Sequence, residues 1–210
     1  MKLIGKIIKL SDDEVKYCEM IAKARTVANR SNDIPDKRIH PVSDVLANDE
    51  GVYSEMAFCK LLNIYPRIFD LGPRSSCKNT DDGDAILPDG RVVDVKTTVR
   101  EKGRLLVCHW KSRCKSVEVF ALMTGRCPEY TFRGFITSEE LFVEERLRCM
   151  RQGAPMSYVA EQYELKELEE LDRGCLVNEN KRPVKDIVND IENEDKKEFK
   201  KSKNSYSFFE

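Results

Sequence analysis

Residues 84–96 read Asp84-Ala-Ile-Leu-Pro-Asp-Gly-Arg-Val-Val-Asp-Val-Lys96 and predict a tight β-hairpin. Pro-Asp-Gly between two apolar runs is a turn signal, and both runs are rich in residues that favour strands. If Pro-Asp-Gly forms a three-residue loop, Leu87 faces Arg91 across the hairpin. The flanking sequence then continues as two paired antiparallel strands.

The same register brings charged side chains together. Counting back along the ladder places Asp84 opposite Asp94, with their Cβ atoms roughly 5 Å apart. Lys96 lies two residues after Asp94 and points to the same face. Because like charges directly opposite on a hairpin repel each other, a divalent cation held by carboxylate oxygens is one explanation. A solvated hairpin end in a different register is the alternative.

Composition and charge narrow the function classes. The chain has 210 residues, of which 35% are charged and 40% hydrophobic, as is typical of a soluble globular protein. No apolar run approaches the roughly 20 residues of a membrane helix, and the first eight residues are too interrupted for a secretory signal. Eight cysteines without such a signal favour a reducing compartment, so the expected location is the cytoplasm.

A basic segment follows the hairpin. Residues 91–115 contain eight basic and two acidic residues, a net charge of +6 in a chain whose total is −1. Trp110 and His109 lie inside this segment, and basic residues mixed with an aromatic ring suit a phosphate backbone and a stacked base. A solvated loop is the alternative. The expected nucleic-acid contacts are Arg100, Lys102, Arg104, Lys111, Arg113 and Lys115.

The remaining elements follow from capping motifs and apolar periodicity. Predicted helices span residues 11–29, 50–62 and 137–151, and predicted strands lie at 67–71, 105–108, 117–123 and 130–136. Residues 31–48 are predicted to form a loop. The composition shifts to charged residues near 160, which predicts a domain over 1–160 and a partly flexible, charged C-terminal extension over 161–210.

Three short motifs resemble the PD-(D/E)xK nuclease superfamily, above all its small stand-alone members encoded by bacteriophages. They are Gly51–Phe58, Asp82–Ile86 and Val93–Thr98, and the resemblance covers about residues 10–160. It implies an α/β fold of the restriction-endonuclease type, in which helices flank a mixed central β-sheet. It also implies a bacterial host cell if the gene is phage-encoded.

The resemblance implies a role for each motif residue. Asp84 and Asp94 match the acidic metal ligands, and the carbonyl of Val95 would add a backbone oxygen to the same ion. Lys96 matches the motif lysine. The residue before Asp84 is Gly83, where the family motif has proline. The expected cofactor is Mg²⁺ or Mn²⁺.

A helical glutamate completes the implied site. Glu55 lies on the edge of an apolar helical stripe and matches the glutamate that many members place against the metal. Glu50, more than one turn earlier, is the alternative if the helix is rotated.

The residues also suggest how Lys96 would act on a phosphodiester. Lys96 would position the attacking water or stabilise charge on the phosphate. A neutral Lys96 acting as a base is the alternative, but the adjacent carboxylates favour its charged form.

Two functions from different classes follow. The first is a metal-dependent nuclease that hydrolyses DNA phosphodiester bonds, encoded by a phage or mobile element. The second is a catalytically silent protein of this fold that binds DNA or a DNA-processing partner. A homodimer would suit double-strand cleavage, although no periodic apolar seam indicates one, and the C-terminal extension is a candidate surface for a protein partner.

The cysteines allow a third interpretation. Cys108, Cys114 and Cys127, with His109 or Cys77, would make a structural zinc site. The closely spaced cysteine pairs that are usual in zinc sites are missing. We therefore favour the interpretation that the cysteines are free thiols packed as small hydrophobic groups.

Overall fold

A computed structural model describes residues 2–31, 44–64, 83–113, 116–150 and 155–171, with the backbone alone for 28–31 and 44–49. This part of the chain is mixed α/β. Its helices are α1 (Asp12–Ser31), α2 (Asp44–Leu62) and α3 (Ser138–Leu141). Its strands are β1 (Ile7–Lys9), β2 (Ala85–Ile86), β3 (Val92–Thr98), β4 (Leu105–Cys108), β5 (Val119–Arg126), β6 (Glu129–Thr137), β7 (Leu147–Arg148) and β8 (Ser157–Ala160).

Two sheets organise the strands. The larger sheet has the order β1-β6-β5-β3-β2, in which β3 and β5 are parallel and the other neighbours are antiparallel. The smaller sheet is antiparallel, with the order β4-β8-β7. A 3₁₀ helix, His109–Arg113, directly follows β4. The predicted mixed central sheet is therefore present.

The larger sheet has a hydrophobic core on each face. Val93 and Val95 of β3 belong to the core that includes α1 and α2, whereas Val92 packs against the core that includes β4 and β8. Because side chains alternate along a strand, Asp94 and Lys96 project on the side of the smaller sheet. The sequence predicted helices flanking the sheet, but in the described part the second face is covered mainly by strands.

The predicted hairpin is confirmed, including its register. Ile86 pairs with Val92, and the amide of Leu87 donates to the carbonyl of Arg91 at 2.8 Å. Gly90 closes the three-residue loop at φ +90°, a conformation that favours glycine. The turn residues therefore fixed the pairing as expected.

The first two helices occur where they were predicted, with one difference in length. At the start of α1, Ser11 and Glu14 cap each other reciprocally, with the amide of Ser11 2.6 Å from Oε2 of Glu14. α2 begins at Asp44, inside the predicted loop, rather than at Glu50.

The third predicted helix is wrong beyond its first turn. Thr137 and Glu140 form the predicted capping box, but α3 ends at Leu141. Residues 147–148 instead pair with β8, and Arg146 contacts Glu164 at 2.8 Å. Tertiary pairing has overridden local helix propensity in this segment.

The short strands β1, β7 and β8 were not predicted, and the predicted strand at 67–71 lies outside the described residues. The compact unit runs from Met1 to Leu171, past the predicted boundary at 160. Glu167 shows this attachment, since its carboxylate accepts hydrogen bonds from the amides of Leu3 and Ile4 at 2.8 and 3.0 Å. Among the described residues, no helix has the length and apolar character needed to cross a membrane.

Candidate functional site

Asp84 is held against β3 at the point where β2 begins. Its backbone amide donates to the carbonyl of Val93 at 2.8 Å. Its carboxylate oxygen Oδ2 accepts a hydrogen bond from the amide of Val95 at 2.7 Å. Asp84 is also buried. The Asp84 carboxylate thus accepts the hydrogen bond that the backbone carbonyl of a paired strand would otherwise accept from Val95. This bond fixes the carboxylate at the end of the β2–β3 pair.

The carbonyl of Val95 lies at the same edge. The N–H and C=O groups of one strand residue leave the strand on the same side, and the N–H of Val95 points to Asp84. β2 begins at Ala85, opposite Val93, so the Val95 carbonyl lies beyond the paired region. A backbone oxygen and a carboxylate are therefore neighbours here.

Asp94 binds two ammonium groups. Its Oδ1 atom contacts Nζ of Lys96, and its Oδ2 atom lies 2.9 Å from Nζ of Lys111. The Asp94 side chain is 4% exposed, whereas those of the two lysines are 27% and 21% exposed. A buried carboxylate thus lies beneath two cations that reach solvent.

The pKa of the Lys96 ammonium group depends on the nearby carboxylates. Burial alone would lower the pKa of its ammonium group, but the charges of Asp94, Asp84 and Glu55, with the hydrogen bond to Asp94, raise that pKa overall. Lys96 is therefore protonated at neutral pH. This agrees with an electrostatic or positioning role and argues against action as a base.

Glu55 is turned inward, between α1 and α2. Its Oε2 atom lies 2.9 Å from Nη1 of Arg25, and both side chains are 8% exposed. Its charge contributes to the raised pKa of Lys96. The structure therefore pairs Glu55 with a helical arginine, while its charge still favours the protonated form of Lys96.

The alternative glutamate, Glu50, lies elsewhere. Its carboxylate accepts a hydrogen bond from the hydroxyl of Tyr130 at 2.7 Å. Tyr130 pairs with Gly125 near the end of β5, whereas Asp94 pairs near the start of that strand. Of the two glutamates, Glu55 is the one that acts electrostatically on Lys96.

The predicted nucleic-acid contacts fall into two groups at opposite ends of β4. Arg100, Lys102 and Arg104 lie in or at the end of the loop that joins β3 to β4. Lys111 and Arg113 lie in the 3₁₀ helix after β4, and Lys111 reaches Asp94. The first group follows Thr98, the last residue of β3, which lies roughly 13 Å along the strand from Asp94 at the usual rise per residue. Lys115 lies outside the described residues.

The donor set suits a hard divalent cation. Asp84, Asp94 and the Val95 carbonyl are oxygen donors of the kind that Mg²⁺ and Mn²⁺ prefer. Within the described ranges, no group of three or more histidine, cysteine, aspartate or glutamate side chains is gathered to hold a metal ion. The carboxylates are instead bound by Lys96, Lys111 and the Val95 amide, which a cation would have to replace.

The zinc interpretation is not supported by the described cysteines. Cys108 is in β4 of the smaller sheet, whereas Cys127 packs against the core that includes α1 and α2. These two thiols belong to different layers of the molecule. Cys77 and Cys114 lie outside the described residues.

Sequence reasoning missed Arg25 and the particular role of Lys111. Arg25 continues the buried stripe of Cys18, Ile21 and Ala22 at helical spacing, so a charge on an apolar face was the available signal. The contact of Lys111 with Asp94 had no comparable signal, because it depends on how two sheets pack.

Comparison with known proteins assigns the chain to a family. A family model described as Family of unknown function (DUF5843) matches residues 2–175, and the chain therefore belongs to this family. No curated protein and no solved structure matches the chain.

Proposed function

We propose that this protein is a Mg²⁺- or Mn²⁺-dependent nuclease that hydrolyses DNA phosphodiester bonds. One observation carries the proposal: the buried carboxylate of Asp94 is ion-paired with Lys96 on β3, and the buried carboxylate of Asp84 is held against the same strand by the amide of Val95. The proposal includes a fold of the restriction-endonuclease type.

Each residue has a definite task in this proposal. Asp84, Asp94 and the carbonyl of Val95 would hold the cation. When bound, the cation would neutralise phosphate charge and lower the pKa of a water molecule. Glu55 is the candidate for a further ligand, provided that it leaves Arg25.

Lys96 would act by its charge. A protonated ammonium group beside the carboxylates can orient a water molecule and stabilise negative charge that develops on the phosphate. Its raised pKa keeps this charge over the whole neutral range.

A second candidate is a silent protein of the same fold that binds DNA or a DNA-processing partner. The ion pairs of Asp94 with two lysines and of Glu55 with Arg25 favour it, because they neutralise the acidic side chains without a metal. The basic residues near β4 would then bind the phosphate backbone alone.

A cleavage assay separates the two functions. Purified full-length protein is incubated with duplex, single-stranded and branched DNA in Mg²⁺, in Mn²⁺ and in EDTA. If the protein is a nuclease, it should cut DNA in Mg²⁺ or Mn²⁺, and EDTA should abolish the cutting. Asp94→Ala and Lys96→Ala should both lose this activity. Metal-independent DNA binding without cutting, unchanged in both variants, would establish the binding protein instead.

We also propose the bacterial cytoplasm as the place of action, which follows from the phage-type nuclease function. The C-terminal extension would contact a protein partner there.

A further inference from the structure

Lys111 differs from the other basic residues that follow the hairpin. It lies in the 3₁₀ helix after β4, a segment with no buried residue, yet its Nζ atom reaches Oδ2 of the buried Asp94 at 2.9 Å. Arg113 in the same 3₁₀ helix is exposed. A surface segment thus places one ammonium group directly on a proposed metal ligand.

The charges of the four side chains Asp84, Asp94, Lys96 and Lys111 balance without a metal. Asp84 and Asp94 carry two negative charges, and Lys96 and Lys111 carry two positive ones. A divalent cation would leave this group with a charge of +2. Two ammonium groups and a cation cannot share one carboxylate without strong repulsion. Binding of the cation therefore favours the departure of one lysine.

Lys111 is the lysine that can depart with least loss. Lys96 belongs to β3 inside the five-stranded sheet and contacts Asp94 from the same strand. Lys111 belongs to a separate surface element, from which a long side chain can turn to solvent or to a bound substrate.

We propose that Lys111 is a cation-dependent phosphate-binding residue, which holds Asp94 in the metal-free protein and binds a DNA backbone phosphate once a divalent cation has replaced it. This inference rests on the proposed function, because it takes Asp94 as a metal ligand. It makes DNA and cation bind cooperatively through one side chain. By linkage, each ligand then raises the affinity for the other by the same factor.

Trp110 reports directly on this segment. It is the single tryptophan of the chain and precedes Lys111 in sequence. Full-length protein is titrated with Ca²⁺ while its tryptophan emission is followed, and binding of a labelled DNA duplex is measured with and without Ca²⁺. A gel after each titration confirms that the DNA is intact.

The decisive variant is Lys111→Met, with Arg113→Met as the matched loss of charge from the same 3₁₀ helix. In the wild type, Ca²⁺ should raise the DNA affinity by about 5- to 150-fold, the usual range of such coupling. Lys111→Met should bind Ca²⁺ more tightly without DNA and lose most of this coupling. With Ca²⁺ present, Lys111→Met should also lower the salt slope of DNA binding by roughly one; without Ca²⁺ it should leave that slope unchanged.

Lys111→Arg is the control for a folding defect. It keeps the positive charge and should therefore keep most of the coupling between Ca²⁺ and DNA binding. Equal coupling in Lys111→Met, Arg113→Met and the wild type would overturn the inference, as would the absence of any Ca²⁺ binding. Cooperative binding in Ca²⁺ that depends on Lys111, in a protein that cuts no DNA in Mg²⁺ or Mn²⁺, would support the inference and reject the nuclease. Metal-dependent cutting, together with a cation–DNA coupling that is the same with and without the Lys111 side chain, would support the nuclease and reject the inference.

Discussion

The guanidinium group of Arg25 lies 2.9 Å from the carboxylate of Glu55 and joins α1 to α2 in a buried ion pair. Nε and Nη2 of Arg25 are buried and have no hydrogen-bond partner among the described residues. The charge of the guanidinium group is therefore balanced mainly by Glu55. Removal of either residue alone would break this ion pair and leave the other charge buried.

Breaking this pair should destabilise the fold. Arg25→Met or Glu55→Gln alone should lower the free energy of unfolding by about 3–5 kcal/mol, whereas the double variant should lose less than the sum. Urea unfolding of the four proteins in the cycle measures this coupling. Additive losses would show that the two side chains do not stabilise each other.

Gly83 should resist replacement by proline, the residue that precedes the first aspartate in the PD-(D/E)xK motif. Gly83 has φ +68°, whereas proline fixes φ near −65°. A Cβ atom at Gly83 would also lie 2.8 Å from the carbonyl oxygen of Val93. We therefore expect Gly83→Pro and Gly83→Ala both to destabilise the hairpin and to lower the melting temperature.

Gly90→Ala is the control for this prediction. Gly90 has φ +90° in the same hairpin, but a Cβ atom there would have no neighbour within 4 Å. It should therefore lose only the cost of the left-handed conformation, about 1–2 kcal/mol. If Gly83→Ala loses no more than Gly90→Ala, the close approach to Val93 has no energetic consequence.

Asp84 has a structural and a chemical role that substitutions can separate. Asp84→Ala removes the acceptor of the buried Val95 amide and should cost about 1–3 kcal/mol. Asp84→Asn keeps a carbonyl acceptor but loses the charge, so it should fold nearly as stably as the wild type and bind Ca²⁺ weakly. Thermal unfolding and calorimetric Ca²⁺ titration measure the two effects. Tight Ca²⁺ binding by Asp84→Asn would remove Asp84 from the proposed ligand set.

The sequence predicted what local chemistry determines and missed what distant packing determines. The hairpin register follows from Pro88, Asp89 and Gly90, and it places Asp84 against the strand that carries Asp94 and Lys96. The smaller sheet is built from strands as short as Leu147–Arg148, which carry almost no periodic signal. Lys111 follows a strand of that sheet, so its ion pair with Asp94 could not be predicted from the sequence for the same reason.

Thiol reactivity should separate the cysteines by burial. Burial raises the pKa of Cys18 and of Cys59 to about 12 each, so their thiolate fraction at pH 8 is roughly a thousandfold below that of an ordinary thiol. Cys149 is exposed. Iodoacetamide should therefore label Cys149 before Cys18 and Cys59, as peptide mass spectrometry would show, and urea should expose the latter two. Rapid labelling of Cys18 in the native protein would contradict its burial.

The same thiols should make the fold less stable in alkali. Unfolded cysteines ionise near their ordinary pKa of 9.0, whereas folded Cys18 and Cys59 stay protonated up to about pH 12. Since the folded state then binds more protons, the free energy of unfolding should fall as the pH rises above 9 and should be independent of these groups below it. Urea unfolding at pH 8 and pH 10.5 measures this loss. The variant Cys18→Ala with Cys59→Ala should show a smaller loss between these pH values, and an equal loss would assign the effect to other groups.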